Sequence, residues 1–314
     1  MGKSKKGQTL LHTFDEATKD FLTKAKSKLK DSTFSRYTFI CERHIIPYFG
    51  DIQLSKLNNE TINNFIKHKQ KCGGLNGGSI SPKTINDIVS LLLQIVKSYC
   101  KFDLDIGKPT YKQAEISILT ETEYNQLKNH LSIGTDSIKL GIIIAMLTGI
   151  RIGELCALKW ENINLDTEVI SIEKTIQRIK IAEHTSNAKT KIIIDTPKSN
   201  ASVRVIPIPA ILLHKLKSFK SHDNSYLLTN SAHHIEPRIY QRHFKNHLKA
   251  CNINDKKFHA LRHTFATMAI ARDMDIKTLS ILLGHADVGF TMKRYVHPNM
   301  EHKRLQIEKL AAGF

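Results

Sequence analysis

The chain has 314 residues, which is enough for two domains of ordinary size. Lys and Arg total 47 against 29 Asp and Glu, a formal net charge of +18, and basic residues recur along the whole chain. Such an excess favours a polyanionic partner, most simply nucleic acid, although charge alone leaves open a soluble protein that is merely basic. Hydrophobic residues make up 41%, so a packed core is expected and a wholly disordered chain is excluded.

The cysteines and the apolar segments of the sequence indicate the cellular compartment in which the protein is expected. The five cysteines lie far apart and none belongs to a Cys-x-x-Cys pair, which argues against a disulfide framework and for a reducing compartment. The longest apolar run, from Leu140 to Leu147, is too short to cross a bilayer. The first residues, MGKSKKGQTLLHTF, lack the apolar segment of a signal peptide. We therefore expect a cytoplasmic protein.

The first third of the chain predicts a flexible basic tail at 1–11 and a four-helix domain at 12–104. Apolar residues recur at helical spacing in four stretches of this range. The fourth helix has the clearest start, because Ser81 followed by Pro82 is typical of an N-cap and a first turn. Residues 105–117 lose the periodicity and contain a Gly-Lys-Pro sequence, which indicates a linker.

Residues 118–314 predict a second domain that is mainly helical with a small antiparallel β-sheet. Thr120 and Glu123 have the spacing of a helix-capping box. Alternating β-branched segments between 168 and 208 predict the strands of the sheet, with a polar hairpin loop at 183–190. The helices predicted around the sheet cover 138–147, 152–158, 210–219, 238–250, 259–272, 276–283 and a tail at 301–311.

Two arginines are candidates for binding a phosphate. Arg151 in TGIRIGELCALKW and Arg262 in HALRH each lie at or near a predicted helix start in an apolar setting. A guanidinium group binds two phosphate oxygens at once, and preorganised charge of this kind is usually the largest catalytic contribution. The alternative is an ordinary arginine paired with Glu154 or another acid.

A tyrosine and three histidines are candidates for the chemical step. Tyr295 in KRYVHP has basic neighbours and carries an oxygen that can form an ester while it stays on the protein. The commoner role of any single tyrosine is packing or hydrogen bonding. His259, His263 and His285 are candidates to position phosphate oxygens or to accept the phenolic proton. His259 and His263 also have the spacing of a zinc pair, but HALRH lacks the glutamate of HExxH.

Lys198 in TPKSNASVRVIP lies at a predicted turn between two strands. A lysine on a hairpin tip can enter a DNA groove and protonate a leaving 5′ oxygen. The alternative is a solvated turn lysine, and Lys174, Lys189 and Lys191 compete for the same role on sequence alone.

Five blocks of the sequence together resemble the signature blocks of the tyrosine recombinase (phage integrase) family: TGIRIGELCALKW, TPKSNASVRVIPIP, HALRHTFAT, LLGHA and KRYVHP. They occur in the family's order and cover residues 118–297. One block alone is a weak signal, whereas the ordered set is specific. The resemblance implies an N-terminal helical core-binding (SAM-like) domain and a mixed α/β catalytic domain, which together clamp DNA.

The resemblance also implies a role for each candidate side chain. Glu154 matches the acidic position that supports the first arginine, and His263 is kept as a supporting candidate. The family's two catalytic arginines, hairpin lysine, two histidines and nucleophilic tyrosine correspond to Arg151, Arg262, Lys198, His259, His285 and Tyr295.

The reaction that the resemblance implies is site-specific recombination of double-stranded DNA. The tyrosine attacks a DNA phosphate and leaves a 3′-phosphotyrosyl link and a free 5′-hydroxyl, which then attacks the partner strand. Strands exchange through a Holliday junction within a homo-tetramer on DNA, and the protein off DNA is expected to be a monomer. The covalent link conserves the bond energy, so no cofactor, metal or ATP is implied.

Three alternatives remain open. A type IB topoisomerase-like enzyme would nick and close DNA with the same residue types but without exchange. A Xer-like resolvase would use the same chemistry for a different event. This alternative stays open because only about eleven residues precede the first predicted helix. That short start predicts no arm-binding domain and a short inverted-repeat site. A DNA-binding protein with an inactive site is disfavoured, because every candidate position holds a competent residue.

Overall fold

The computed structural model describes residues 13–74, 77–100, 105–110, 116–181, 189–197, 199–296 and 300–312. The described residues divide into two compact units. The first unit lies within residues 1–114 and 178–191, and the second within residues 115–177 and 192–314. No helix in these described ranges has the length and apolarity needed to cross a bilayer.

The helices of the first unit are α1 (Phe14–Lys26), α2 (Asp31–Ile40), α3 (Ile46–Phe49), α4 (Asn59–Cys72) and α5 (Pro82–Tyr99), with a π turn at Cys41–Ile45 between α2 and α3. The predicted N-cap is confirmed, since the Ser81 hydroxyl accepts a hydrogen bond from the backbone of Thr84. The core of this unit is aromatic at one end, where the ring centroids of Phe49 and Phe65 lie 4.8 Å apart. Such tilted pairs combine burial with favourable ring electrostatics.

The second unit is also mainly helical, which confirms the predicted fold class. Its helices are α6 (Glu121–Ser132), α7 (Ser137–Thr148), α8 (Ile152–Ala157), α9 (Ala210–Phe219), α10 (Pro237–Ala250), α11 (His259–Ala271), α12 (Ile276–Leu283), α13 (Val288–Tyr295) and α14 (Met300–Ala311). The predicted capping box of Thr120 and Glu123 is present at the start of α6. Helix α13, which carries the candidate nucleophile, was not among the predicted elements.

The strands are β1 (Ile163–Asn164), β2 (Val169–Ile172), β3 (Thr175–Lys180), β4 (Thr190–Asp195) and β5 (Arg204–Pro207). They form two small sheets where one was expected. The first is antiparallel with the order β1-β2-β5, and Ile170 of β2 is paired with Ile206 of β5. In the second, β3 pairs with β4. Of the predicted hairpin loop, residues 183–188 lie outside the described ranges.

Lys198 was predicted at a turn between two strands, and the strands on either side of it, β4 and β5, belong to different sheets. Alternation of apolar residues identified both strands but contains no information on their partners. The described residues between them include a 3₁₀ turn at Asn200–Ser202, so this segment connects one sheet to the other. Lys198 itself lies outside the described residues.

Two left-handed glycines shape the part of the second unit that carries the candidate side chains. Gly149 follows α7 with φ of 64°, and Gly284 follows α12 with φ of 64°. Glycine adopts this conformation without the steric cost that a Cβ atom imposes. A Cβ at Gly149 would also lie 2.6 Å from the ring of Phe265. Each glycine turns the chain sharply and leaves carbonyl oxygens at the helix end without helical partners.

Candidate active site

The C-terminal end of α12 collects three arginine side chains. Its last carbonyls lack partners within the helix and form the negative end of the helix dipole. Each guanidinium group donates to a different carbonyl: Arg204 Nε to Leu282 O at 2.6 Å, Arg262 Nη2 to Leu283 O at 2.6 Å, and Arg151 Nη2 to Gly284 O at 3.1 Å. One helix end therefore fixes the relative positions of three cations that would otherwise repel one another.

Arg262 is deeply buried, with 2% of its surface exposed. Besides the α12 end, its Nη1 donates to Gly149 O at 2.9 Å, and its Nη2 lies 2.8 Å from Nε2 of His285. Burial, followed by the charge of Arg151, lowers the pKa of Arg262 to about 9. The group stays cationic at neutral pH, and its fixed hydrogen bonds leave it preorganised.

Arg151 lies at the N-cap of α8 and is the more accessible of the two predicted arginines. Its side chain is 33% exposed, and its Nη1 donates to Glu154 Oε1 at 2.7 Å. Its backbone N–H also donates to Glu154 Oε2 at 3.1 Å. The carboxylate thus holds Arg151 at both ends, while part of the guanidinium group remains open to a ligand. Arg151 is therefore paired with Glu154, which was considered above as an alternative to phosphate binding, and it still has an open face for a phosphate.

Glu154 has a second partner that the sequence analysis missed. Arg204 Nη2 donates to Glu154 Oε2 at 2.9 Å, and the two side chains are 3% and 2% exposed. Burial alone would raise the pKa of Glu154, but the charges and hydrogen bonds of Arg204 and Arg151 outweigh it and lower the pKa. The carboxylate is therefore ionised and bridges two arginines.

A signal for Arg204 was present in the sequence. Side chains of a strand alternate between its two faces, and in SVRVIP this places Arg204 on the same face as Ile206. The structure agrees, since Val203 and Val205 are 49% and 54% exposed whereas Arg204 and Ile206 are buried. An arginine on the buried face of a strand requires an ionic or hydrogen-bonded partner.

Tyr295 is the last residue of α13 and is 8% exposed. Its hydroxyl lies 2.7 Å from Nδ1 of His263, which is on α11. Burial raises the pKa of Tyr295, and the charges of Arg262, Arg294 and Arg151 oppose that rise. The phenol is therefore protonated at neutral pH and has a hydrogen-bond partner positioned to take the proton.

The three candidate histidines are brought together around Arg262 and Tyr295. The rings of His259 and His263 meet edge to face with centroids 4.5 Å apart. Desolvation by the surrounding protein, followed by neighbouring positive charges, lowers the pKa of His259 and of His263 to about 4. The same causes lower the pKa of His285 to about 3. All three side chains are neutral at physiological pH and can accept protons.

The remaining lysine candidates are not placed near this centre by any described contact. Lys198 lies outside the described residues, whereas its neighbour Ser199 is hydrogen-bonded to Ser202 at 3.0 Å. Ser202 in turn donates to Gly284 O at 3.4 Å. The described chain that follows Lys198 is therefore attached to the same helix end as the arginines. Lys174, Lys189 and Lys191 are all exposed.

The candidate active site combines cationic guanidinium groups, neutral imidazoles and one phenol that can act as a nucleophile. Two guanidinium groups can compensate the charge that develops on non-bridging phosphate oxygens. A protonated phenol with an adjacent neutral imidazole can act as a nucleophile and its base. This set suits the transfer of a phosphoryl group to a tyrosine.

Two family models match the chain. The model of the phage integrase family matches residues 117–302, and the model of the phage integrase N-terminal SAM-like domain matches residues 13–70. Together they cover most of both structural units. The first of them contains all the predicted catalytic positions.

Curated relatives include a tyrosine recombinase XerC-like protein of Caldanaerobacter subterraneus, which is 29% identical over 65% of this chain. The match spans only 56% of that relative's length. The ICEBs1 integrase of Bacillus subtilis is 22% identical over 92% of this chain and 80% of its own length. Tyrosine recombinase XerA of Pyrococcus furiosus is 27% identical over 70% of this chain and 73% of its own length.

Solved structures share the fold. The Tn1549 transposon integrase in complex with transposon right end DNA aligns with a TM-score of 0.74 at 20% identity, over 95% of this chain and 99% of that one. A lambda integrase dimer bound to a COC′ core site aligns with a TM-score of 0.63 at 17% identity, over 90% of this chain and 95% of that one.

Proposed function

Because the chain belongs to the phage integrase family of tyrosine recombinases, we propose that it cuts and rejoins DNA at a specific site through a covalent link between Tyr295 and a 3′ phosphate. The observation that supports this most directly is the 2.7 Å approach of the Tyr295 hydroxyl to His263 beside a buried arginine centre. The family match covers every residue involved.

In the first step, Arg151 and Arg262 bind the non-bridging oxygens of the scissile phosphate. The accessible face of Arg151 receives the phosphate, and the buried Arg262 contributes a fixed positive charge. Their positions are set before DNA binds, because both donate to carbonyls at the end of α12. Preorganised donors of this kind stabilise the added negative charge of the transition state without reorganisation.

The nucleophilic oxygen of Tyr295 then attacks phosphorus while its proton passes to Nδ1 of His263. This transfer requires the neutral imidazole with its hydrogen on Nε2, and the lowered pKa of His263 keeps the ring neutral. A bond forms between the phenolic oxygen and phosphorus, and the bond from phosphorus to the 5′ oxygen breaks. Lys198 donates a proton to that leaving oxygen, which departs as a free hydroxyl.

Rejoining reverses these steps with a 5′-hydroxyl from the partner strand. His263 returns the proton to the tyrosine, and Lys198 accepts the proton of the attacking hydroxyl. Since one phosphodiester is replaced by another, the exchange needs no external energy source. We propose that strands exchange in pairs through a Holliday junction.

In this proposal the N-terminal helical domain, 12–104, and the catalytic domain, 118–314, both bind double-stranded DNA. A net charge of +18 supports extensive phosphate contact. We propose a homo-tetramer on a short inverted-repeat site in cytoplasmic DNA. Exposed apolar side chains on α14 support the assembly, since Met300 and Ile307 are 63% and 64% exposed.

Integration and excision of a mobile element is the first biological role we propose, because the ICEBs1 integrase is matched over 92% of this chain. Xer-like resolution is the second candidate, since relatives named XerC-like and XerA match at 29% and 27% identity. The two roles share one chemistry and differ in the DNA substrate.

The decisive experiment uses a suicide substrate whose scissile strand is nicked just beyond the cleavage position, so that the short fragment released with the free 5′-hydroxyl diffuses away. We expect a covalent protein–DNA adduct on a denaturing gel, and peptide mapping should place the DNA on Tyr295. Two intact sites should also yield recombinant strands. Relaxation of supercoiled DNA without any recombinant product would indicate a topoisomerase-like activity instead.

A further inference from the structure

Arg204 lies behind the arginine pair of the proposed active site and has no open face of its own. Its side chain is 3% exposed. All three of its nitrogens donate to groups of the protein: Nε to Leu282 O, Nη1 to Ser202 O at 3.0 Å, and Nη2 to Glu154. A guanidinium group that is 3% exposed and held by the protein at all three nitrogens presents no accessible face to a phosphate, so any effect on DNA chemistry passes through another residue.

We propose that Arg204 is a positioning residue that holds Arg151 in its phosphate-binding orientation. This inference rests on the proposed function, because it assumes that Arg151 binds the scissile phosphate. Two routes connect the two arginines, one through the carboxylate of Glu154 and one through the end of α12.

The first route is the shared carboxylate. Arg204 occupies Glu154 Oε2 at 2.9 Å, which leaves Oε1 for Arg151 at 2.7 Å. Without Arg204 the buried carboxylate would keep only one cationic partner, a costly state in a region with 2% exposure. Arg151 would then be drawn toward both carboxylate oxygens. Its Nη2 would leave Gly284 O, and its open face would turn from the phosphate.

The second route is the helix end itself. Arg204 binds the Leu282 carbonyl, and Arg151 binds that of Gly284 two residues later. Arg204 also holds the carbonyl of Ser202, whose hydroxyl donates to Gly284 O. The connection from β4 to β5 is thereby attached to the same turn. Loss of the Arg204 side chain would free this turn to move, and the Gly284 carbonyl that accepts a hydrogen bond from Arg151 would move with it.

The test compares Arg204→Met with Ile206→Ala. The methionine side chain fills much of the arginine's volume without charge or donors. Ile206 is buried on the same strand and carries neither charge nor a donor, so its truncation controls for loss of packing. Adduct formation is measured at saturating protein, on a nicked substrate with an ordinary scissile phosphate and on one with a methylphosphonate there.

The methylphosphonate lacks one non-bridging negative charge and depends less on a correctly oriented arginine. We expect Arg204→Met to slow adduct formation about 10- to 100-fold on ordinary DNA, with half-site affinity nearly unchanged. The loss of rate in Arg204→Met should be several-fold smaller on the methylphosphonate substrate. The same should hold for the loss of rate in Arg151→Ala. For Ile206→Ala, the rate of adduct formation relative to wild type should be the same on both substrates.

A double-mutant cycle tests the route through the carboxylate. If Arg204 acts through Glu154, the rate losses of Arg204→Met and Glu154→Gln should not multiply in the double variant. Equal losses for Arg204→Met on both substrates, or a rate matching that of Ile206→Ala, would reject the positioning role. Absence of any adduct with the wild-type protein would instead reject the proposed function and this inference with it.

Discussion

Arg262 Nη2 lies 2.8 Å from Nε2 of His285, and because an arginine can only donate, that imidazole nitrogen must be an acceptor. The hydrogen of the neutral ring is therefore on Nδ1, which lies 2.7 Å from the hydroxyl of Thr291. Thr291 is fully buried on α13, four residues before Tyr295. One chain of hydrogen bonds thus joins the buried arginine to the helix that carries the nucleophile.

Thr291→Val should weaken this chain without opening a cavity. Valine retains the shape of threonine but removes the acceptor for His285 Nδ1–H, so the ring can change tautomer and lose its bond from Arg262. We expect adduct formation to slow about 10-fold, less than for Arg262→Lys. Nitrogen chemical shifts of His285 should report the tautomer. An unchanged tautomer together with an unchanged rate would show that Thr291 serves packing only.

Tyr295→Phe should abolish the covalent adduct while it preserves site binding. Only one oxygen is lost, and DNA affinity derives mainly from phosphate contacts spread over the surface. Gel shifts measure the binding, and the suicide substrate measures the adduct. Tyr37→Phe is the matched control, since its hydroxyl makes one weak, exposed contact with Gln94 at 3.3 Å. A normal yield of adduct from the Tyr295 variant would remove this residue from the nucleophile role.

The sequence predicted the components of the site better than their connections. Helix starts and motif residues were identifiable because caps and periodicity are local signals, as at Ser81 and Thr120. Helix α13 was missed because VGFTMKRY opens with a β-branched residue and a glycine, and its start depends on the Asp287 side chain accepting from the backbone of Gly289. The partner of Glu154 is 50 residues away along the chain. Such a contact depends on which strands pair, and alternation alone does not determine that.

His263→Ala should slow adduct formation about 10²- to 10⁴-fold and change its pH dependence. The pKa of His263 is lowered to about 4, so the wild-type base is neutral above that value and its contribution is lost only as the pH falls through about 4. Without it, hydroxide must take the phenolic proton, and the rate should climb with pH between about 6 and 9. The wild-type rate should stay nearly flat over the same range.

His259→Ala is the comparison for that experiment. The ring of His259 contacts His263, but His263 is the one within hydrogen-bond distance of Tyr295. We expect His259→Ala to lower the rate and keep the flat pH profile. If the slope appears with His259→Ala and not with His263→Ala, the base is His259.

Lys198→Ala should be slow on ordinary DNA and largely restored on DNA with sulfur in place of the 5′ bridging oxygen. A thiolate leaves readily without a proton, so the substituted substrate does not need a general acid. Lys174→Ala is the control, because Lys174 is exposed between β2 and β3 and competed for the role on sequence alone. Rescue of Lys174→Ala in place of Lys198→Ala would assign the acid to the earlier position.

The tail that follows Tyr295 should act between protomers. Among its described side chains, helix α14 exposes Met300 and Ile307, and Lys309 forms an exposed ion pair with Asp273 at 3.1 Å. A surface pair of this kind contributes little stability. The exposed apolar side chains of Met300 and Ile307 gain more by packing on another subunit.

Deleting residues 301–314 should therefore preserve the folded monomer and half-site binding, and abolish cooperative full-site binding and strand exchange. Lys309→Ala is the matched control, because it removes the ion pair to Asp273 and leaves the apolar side chains in place; it should retain exchange. Thermal unfolding, gel shifts on half and full sites, and recombination of two intact sites are the measurements. Unfolding of the truncated monomer would favour docking on its own subunit, whereas full exchange without the tail would reject both arrangements.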